Sequence, residues 1–427
     1  MTGRLLRLSV IFLLLFAVNA EAATSVPVIV KLLPGANLPL VSALLLAVQV
    51  DSIPGSNIYL LRLPSLPILT PALRLLGVEW IESNQGLGLL PVAHARLLGV
   101  AGTSDPRWYR NQPAMELIRS EAAHRYSDGQ NILIADINSR VDTNHPALVG
   151  HLFSGYDFVS GTSSGVNAGL NDDQQTAGFL DDDHQTAGFL DDDQQTAGFL
   201  DGVGVRLFDD QQTAGFLDGQ KPAYGHGTLC AGILAAVAPG AMIMPIRAFD
   251  DDGNADAFTL AKAIRWAADH NADVINMSFG TLDDTKVLRD AIAYAQKQGV
   301  LLVASAGNDN TSTPQYPAAY AGVITVASTN ISDRKAPFSN YGSSVVVDAP
   351  GVNIISAYPD GRYAMVSGTS FSAPEVAGAM ALVLKLRTTG VTSSVNSTAV
   401  NVDNRNPGYY RKLGYGRIDI LRAVQAR

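Results

Sequence analysis

The strongest constraint on the fold is a series of short apolar runs with helix-length patterns between them. The runs are Ile132 to Asn138, Met242 to Arg247, Ala272 to Gly280, Leu301 to Asn308 and Val323 to Ala327. They are apolar without strict alternation, which suits strands buried on both faces of a parallel sheet. Helical patterns at Ala257 to His270 and Lys286 to Gln298 occupy two of the intervals. Alternating strand and helix segments predict an α/β fold, a mainly parallel sheet layered between helices. The 427-residue length allows one large domain and a smaller one.

The smaller one lies at the N-terminal end. Residues 1–22 read as a signal peptide: Arg4 and Arg7 precede the apolar run Leu8 to Val18, and small residues follow at Ala20, Ala22 and Ala23. The run is too short to span a bilayer comfortably. An exported protein is expected, with no membrane association after cleavage. Cys230 is the only cysteine, so no internal disulfide can form, which suits a bacterial source. Residues 23–88 read as a small β–α–β–α–β domain, with a helix from Leu38 to Val48, and 89–106 as a linker. The main domain is then 107–427. The net charge of −9 argues against a nucleic-acid partner.

Residues 160–220 break the α/β alternation. Asp172-Asp173-Gln174-Gln175-Thr176-Ala177-Gly178-Phe179-Leu180 recurs from Asp182, with His184 for the first glutamine, and from Asp192, and again, offset, from Asp209. Each copy has too little apolar surface to offset the ordering of ten residues, so an acidic surface loop is expected. Its carboxylates are the kind calcium takes, but they lack the glycine-punctuated spacing of calcium-binding repeats.

Three strings carry chemistry. Gly368-Thr369-Ser370-Phe371-Ser372-Ala373-Pro374 stands between a strand-like run and a helical pattern. Ser370 is thereby placed at a helix N-terminus, where unpaired N–H groups and the helix dipole favour an oxyanion. Pro374 fits the first turn of that helix. Gly225-His226-Gly227-Thr228 opens a second helix, with Cys230 one turn on, and Ala304-Ser305-Ala306-Gly307-Asn308 ends a strand. Alone, Gly-Thr-Ser is an ordinary helix cap and a single histidine an ordinary polar residue. Together, in the order Asp slot, His, Ser, these strings resemble the subtilisin-like serine proteases (subtilases, peptidase family S8) over residues 108–160 and 221–427. Residues 26–85, with Gly77-Val78-Glu79-Trp80-Ile81-Glu82-Ser83-Asn84, resemble more weakly the subtilase propeptide, an inhibitor whose C-terminal tail lies in the active-site cleft.

The resemblance implies a serine endopeptidase with Ser370 as nucleophile, His226 as general base and Asn308 in the oxyanion hole. Ser278, Gly280, Ala306 and Gly307 would border an open cleft. The implied partners are polypeptide substrates and the chain's own propeptide, in a monomer. No metal or cofactor is implied in the chemistry. Structural calcium finds little support, since Ala147 stands where many subtilases carry a calcium-binding aspartate.

The acid position departs from the family. Counting back from His145-Pro146 and forward from Gly129-Gln130-Asn131 both put Asn138 in the aspartate slot. Asp136, two residues back on the same strand face and ~6.6 Å away, is the alternative triad acid, reaching His226 only through a local bulge. An asparagine there tends to select the wrong imidazole tautomer, a change worth about 10⁴ in kcat in a related triad. The competing expectation is therefore a catalytically impaired pseudoprotease that binds peptides through an intact cleft.

Overall fold

A computed structural model describes residues 25–90, 92–100, 107–164, 205–207, 221 and 223–426. The signal stretch and the decapeptide copies lie outside the described residues. The chain divides into two units, Met1–Gln85 and Gly86–Arg427.

In the first unit, β1 (Val26–Leu32), β2 (Val48–Ile53), β3 (Ile58–Leu63) and β4 (Val78–Ser83) form an antiparallel sheet in the order β2-β3-β1-β4. The helices Leu38–Leu45 and Pro71–Leu75 complete it. The unit is thus β–α–β–β–α–β, one strand more than expected. The first helix stops at Leu45 because Leu46 turns left-handed at φ 52°, with its N–H on Ala43. Val48-Gln49-Val50 then enters a strand, as β-branched residues favour. Val28, Val30, Val41, Leu61 and Leu73 pack as its core.

The second unit begins with β5 (Gly86–Leu89) and β6 (His94–Val100). Residues 89–106 are therefore not a plain linker, since β6 pairs with a strand from the far end of the chain. Next come β7 (Leu133–Asn138), β8 (Gly155–Asp157), β9 (Thr162–Ser164) and β10 (Val205–Leu207). They are followed by β11 (Met242–Arg247), β12 (Asn254–Asp256), β13 (Val274–Met277), β14 (Phe279–Gly280), β15 (Leu301–Ser305) and β16 (Val323–Thr329). The last three are β17 (Val347–Pro350), β18 (Ile354–Tyr358) and β19 (Arg362–Ser367).

The main sheet runs β17-β16-β15-β13-β7-β11-β8-β9, parallel throughout except for β9 at the edge. From central β7 the chain builds first toward β11 and β8, then returns to add β13, β15, β16 and β17 on the other side. Loops at the carboxyl ends of strands beside such a reversal part from one another and leave a crevice. Asn138, Ser278 and Asn308 all stand at carboxyl ends of this kind. The helices His226–Val237 and Thr369–Leu386 pack against each other, and the longer one crosses β7, β13, β15, β16 and β17. Ala257–Asp269 and Lys286–Lys297 pair as another helical layer on the sheet, completing the subtilisin-like three-layer arrangement. Gly378 permits the close helix contact, because a Cβ there would come within 2.7 Å of Val237 Cγ1. A smaller sheet, β10-β6-β19-β18, leads into the Ser370 helix.

Candidate active site

His226 is the first residue of its helix, and Gly227 decides how near that helix comes to the end of β7. A Cβ on Gly227 would lie 2.6 Å from the Ser139 carbonyl oxygen and 2.7 Å from that of Arg140. Glycine therefore lets the helix start rest directly on the loop that leaves β7. Ser139 fastens the junction: its Oγ accepts the Gly227 N–H at 3.1 Å and donates to the Ala223 carbonyl at 2.6 Å. Held there, the buried His226 ring donates from Nδ1 to Asn138 Oδ1 at 2.7 Å. Burial pushes the imidazole down to about 4, so the ring is neutral in ordinary conditions. Its Nε2 is buried with no hydrogen-bond partner.

Asp136 does not face His226. The pairing of β7 with β11 and β13 runs from Leu133 to Asn138 without a shift in register, so no bulge brings the carboxylate forward. Asp136 lies behind Asn138, wholly buried, and accepts from Asn276 Nδ2 at 2.8 Å. The Asn138 Nδ2 stands 3.4 and 3.3 Å from its two oxygens. Burial pushes the Asp136 carboxyl up to about 7, against the opposing pull of the Asn276 and Asn138 donors. The alternative triad acid is thus one amide removed from the imidazole.

Ser370 is the second residue of the Thr369–Leu386 helix. Pro374 is the sixth, not a first-turn residue, so it sits where a proline removes a helix hydrogen bond. The acceptor left without its partner is the carbonyl of Ser370 itself, four residues back. Ser278 Oγ donates to it at 2.9 Å and the Cys230 thiol at 3.5 Å. Two side chains thus satisfy the backbone carbonyl of Ser370. The Cys230 sulfur also lies 3.8 Å from His226 Nδ1, and burial, then the Asp136 charge, raises its pKa well above the ordinary thiol value. It is a packed thiol rather than a thiolate. Ser370 Oγ makes one long contact, donating to the Ser278 carbonyl at 3.5 Å.

Asn308 is oriented by a residue that the sequence motifs did not single out. Thr369 donates to Asn308 Oδ1 from its N–H at 2.9 Å and its hydroxyl at 2.8 Å. With Oδ1 so engaged, Nδ2 is turned toward Gly368, where it would lie 3.4 Å from a Cβ. Gly307 donates its N–H to Thr369 Oγ1 at 3.2 Å. Its φ of 110° suits glycine, and a Cβ there would clash with Asn340 Nδ2 at 2.2 Å.

β5 is the middle strand of a three-stranded sheet. β14, with Gly280, pairs antiparallel with β5, and β12 pairs antiparallel with the other side of β5. Leu89 donates its N–H to the Gly253 carbonyl at 2.9 Å. Leu87 and Leu90 are buried, and Leu90 Cδ2 would lie 3.5 Å from a Cβ on Gly280. Gly280 thus lies beside β5 and Ser278 against Ser370, while the Asn254–Asp256 strand on the other side of β5 was not singled out in the sequence. Its only sequence signal was the turn-like Asp251-Asp252-Gly253-Asn254. Asn276, part of a recognised strand, was also missed as a site residue. Among the described residues, no group of three or more His, Cys, Asp or Glu side chains comes together as a metal site.

A serine at a helix start, a buried imidazole held by an amide and two strands that flank an extended segment fit a serine-type endopeptidase. Residues 129–416 match the subtilase family, and the chain belongs to that family. It is 31% identical to thermitase of Thermoactinomyces vulgaris over 334 residues, 75% of this chain and 99% of thermitase. It is 40% identical to the minor extracellular protease Epr of Bacillus subtilis over 211 residues, 46% of this chain and 33% of Epr. Among solved structures it is similar to fervidolysin of Fervidobacterium pennivorans, described as a keratinolytic enzyme related to subtilisin. That match has a TM-score of 0.69 and 23% identity, covering 96% of this chain and 62% of fervidolysin, and it speaks for the fold alone.

Proposed function

We propose that the chain is an exported endopeptidase in which Ser370 attacks the scissile carbonyl and His226 takes its proton at Nε2. The proton then passes to the leaving amine. Asn308 Nδ2 and the Ser370 N–H receive the oxyanion. The observation that carries this reading is the 2.7 Å bond from His226 Nδ1 to Asn138 Oδ1, which leaves Nε2 as the free basic nitrogen. For reaction the Ser370 hydroxyl turns from the Ser278 carbonyl to Nε2. Export is supported by the Arg4-to-Ala23 pattern and by the extracellular designation of Epr.

The β5 strand supports a zymogen. It follows the N-terminal unit in sequence and lies between β12 and β14 as an extended peptide substrate would. In this reading the chain's own residues 86–90 hold the cleft until the N-terminal segment is removed.

Asn138 favours a second reading, a peptide-binding pseudoprotease. Casein hydrolysis by the processed protein decides between them. Hydrolysis that Ser370→Ala and His226→Ala both abolish supports the enzyme. Peptide binding without hydrolysis supports the pseudoprotease.

A further inference from the structure

A neutral amide beside an imidazole can bind it in two ways. Oδ1 can accept from Nδ1–H, which leaves Nε2 as a base, or Nδ2–H can donate to a bare Nδ1, which puts the proton on Nε2 and disables it. In this site two contacts choose between them. The Ser139 N–H donates to Asn138 Oδ1 at 2.9 Å, so a flipped amide would set N–H against N–H. On the other end, Asn138 Nδ2 faces both Asp136 oxygens, at 3.3 and 3.4 Å. A buried carboxylate is costly unless hydrogen-bonded. Here the side-chain donors turned to it are two amides, those of Asn138 and Asn276. The titratable groups near it are Cys230 and His226, both from the His226–Val237 helix.

We propose that Asp136 is the positioning residue for this triad: by accepting from Asn138 Nδ2 it holds Oδ1 against His226 Nδ1–H. The amide then selects the tautomer, and the negative charge that steadies the imidazolium comes from behind it. In the attack step the Ser370 proton moves to Nε2, and the positive charge on the ring is relayed through Nδ1–H···Oδ1 and Nδ2–H···carboxylate. Asp136, ionised above about pH 7, itself takes up no proton in this step. The proposal rests on the serine–histidine reading above.

The arrangement makes an unusual mutational pattern. Asn138→Asp alone would face two carboxylates across ~3.3 Å, and one of them must then hold a proton. The exchange Asp136→Asn with Asn138→Asp instead keeps one carboxylate and one amide and puts the charge directly on His226. It is expected to equal or exceed the starting kcat.

The test has two arms. In the full chain carrying Ser370→Ala, ring ¹⁵N NMR of His226, assigned by its loss in His226→Gln, is expected to show a protonated Nδ1 and a bare Nε2. Adding Asp136→Asn is expected to move it toward the other tautomer. In the Ser370-intact protein, Asp136→Asn is expected to lower kcat at least ~10-fold with KM little changed, within the ~10⁴ ceiling of an Asp-to-Asn change in such a triad. Adding Asn138→Asp is expected to restore it. An unchanged tautomer and kcat in Asp136→Asn would overturn the proposal. So would a double variant slower than the starting protein, which is informative even if Asp136→Asn alone fails to fold. Turnover that survives Ser370→Ala would instead sink the serine–histidine reading, while the NMR arm still reports on Asp136.

Discussion

At the serine end of the site, Thr369 orients Asn308, Ser278 and Cys230 hold the Ser370 carbonyl, and each contact joins residues within or beside a family motif. At the acid end, an amide, Asn138, faces His226, and the carboxyl of Asp136 lies behind it, two residues back along β7. The two ends meet through Asn276, whose Nδ2 donates both to Asp136 and to Ser278 Oγ, at 2.8 and 3.1 Å. On the proposed reading, a departure at one catalytic position is thus compatible with an intact opposite end. The same hydrogen-bonded side chains support both, and a buried carboxyl is present although it stands elsewhere.

The comparison breaks most sharply at the oxyanion position. Asn308→Ala is expected to lower kcat by about 10²–10³, the usual cost of one oxyanion donor. KM should change little, because the lost contact is made mainly in the transition state. A loss confined to KM would mean that Asn308 only binds substrate.

A smaller effect separates the acid end by pH. Burial holds the Asp136 carboxyl at about 7, so the native state keeps a proton there that the unfolded chain releases in the ordinary carboxylate range. Stability from this group is complete at low pH and is lost as pH rises through about 7. His226, pushed down to about 4, acts in the opposite sense, contributing stability that is lost as pH falls through about 4. Asp136→Asn removes only the first limb. Relative to the starting protein its unfolding free energy should therefore climb between about pH 4 and 7, by on the order of 4 kcal/mol or less, and its Tm with it. A parallel pair of Tm curves would place the titration elsewhere.

The smallest effect lies at the serine end. Ser278→Ala removes the stronger of the two donors to the Ser370 carbonyl, where Pro374 offers none. It should cost about 1–3 kcal/mol in unfolding free energy, the range for a buried acceptor left unsatisfied. Denaturant unfolding measures it, and a loss below about 0.5 kcal/mol would show that Cys230 suffices.

Much of this site is legible in the amino-acid sequence itself. Ser370, His226 and Asn308 lie in strings whose chemistry is local, and two counts through flanking motifs put Asn138 in its slot. The rest depends on contacts that no local pattern records. Asp136 and Asn138 share one strand face, so spacing alone leaves both as candidates, and only the unshifted pairing with β11 and β13 separates them. Pro374 reads as a first-turn residue because the side chains that replace its lost bond come from Ser278 and Cys230, distant in sequence. β6 reads as a linker because its partner β19 lies more than 250 residues away.

On the proposed reading Ser370 remains an activated nucleophile although an amide faces His226. The rate at which a fluorophosphonate labels Ser370 in the processed protein measures this most directly. Measurable labelling is expected, which His226→Ala abolishes, Asp136→Asn slows, and the Asp136→Asn/Asn138→Asp exchange restores or accelerates. Labelling no faster than in His226→Ala would contradict it and leave a protein that binds peptides without cutting them.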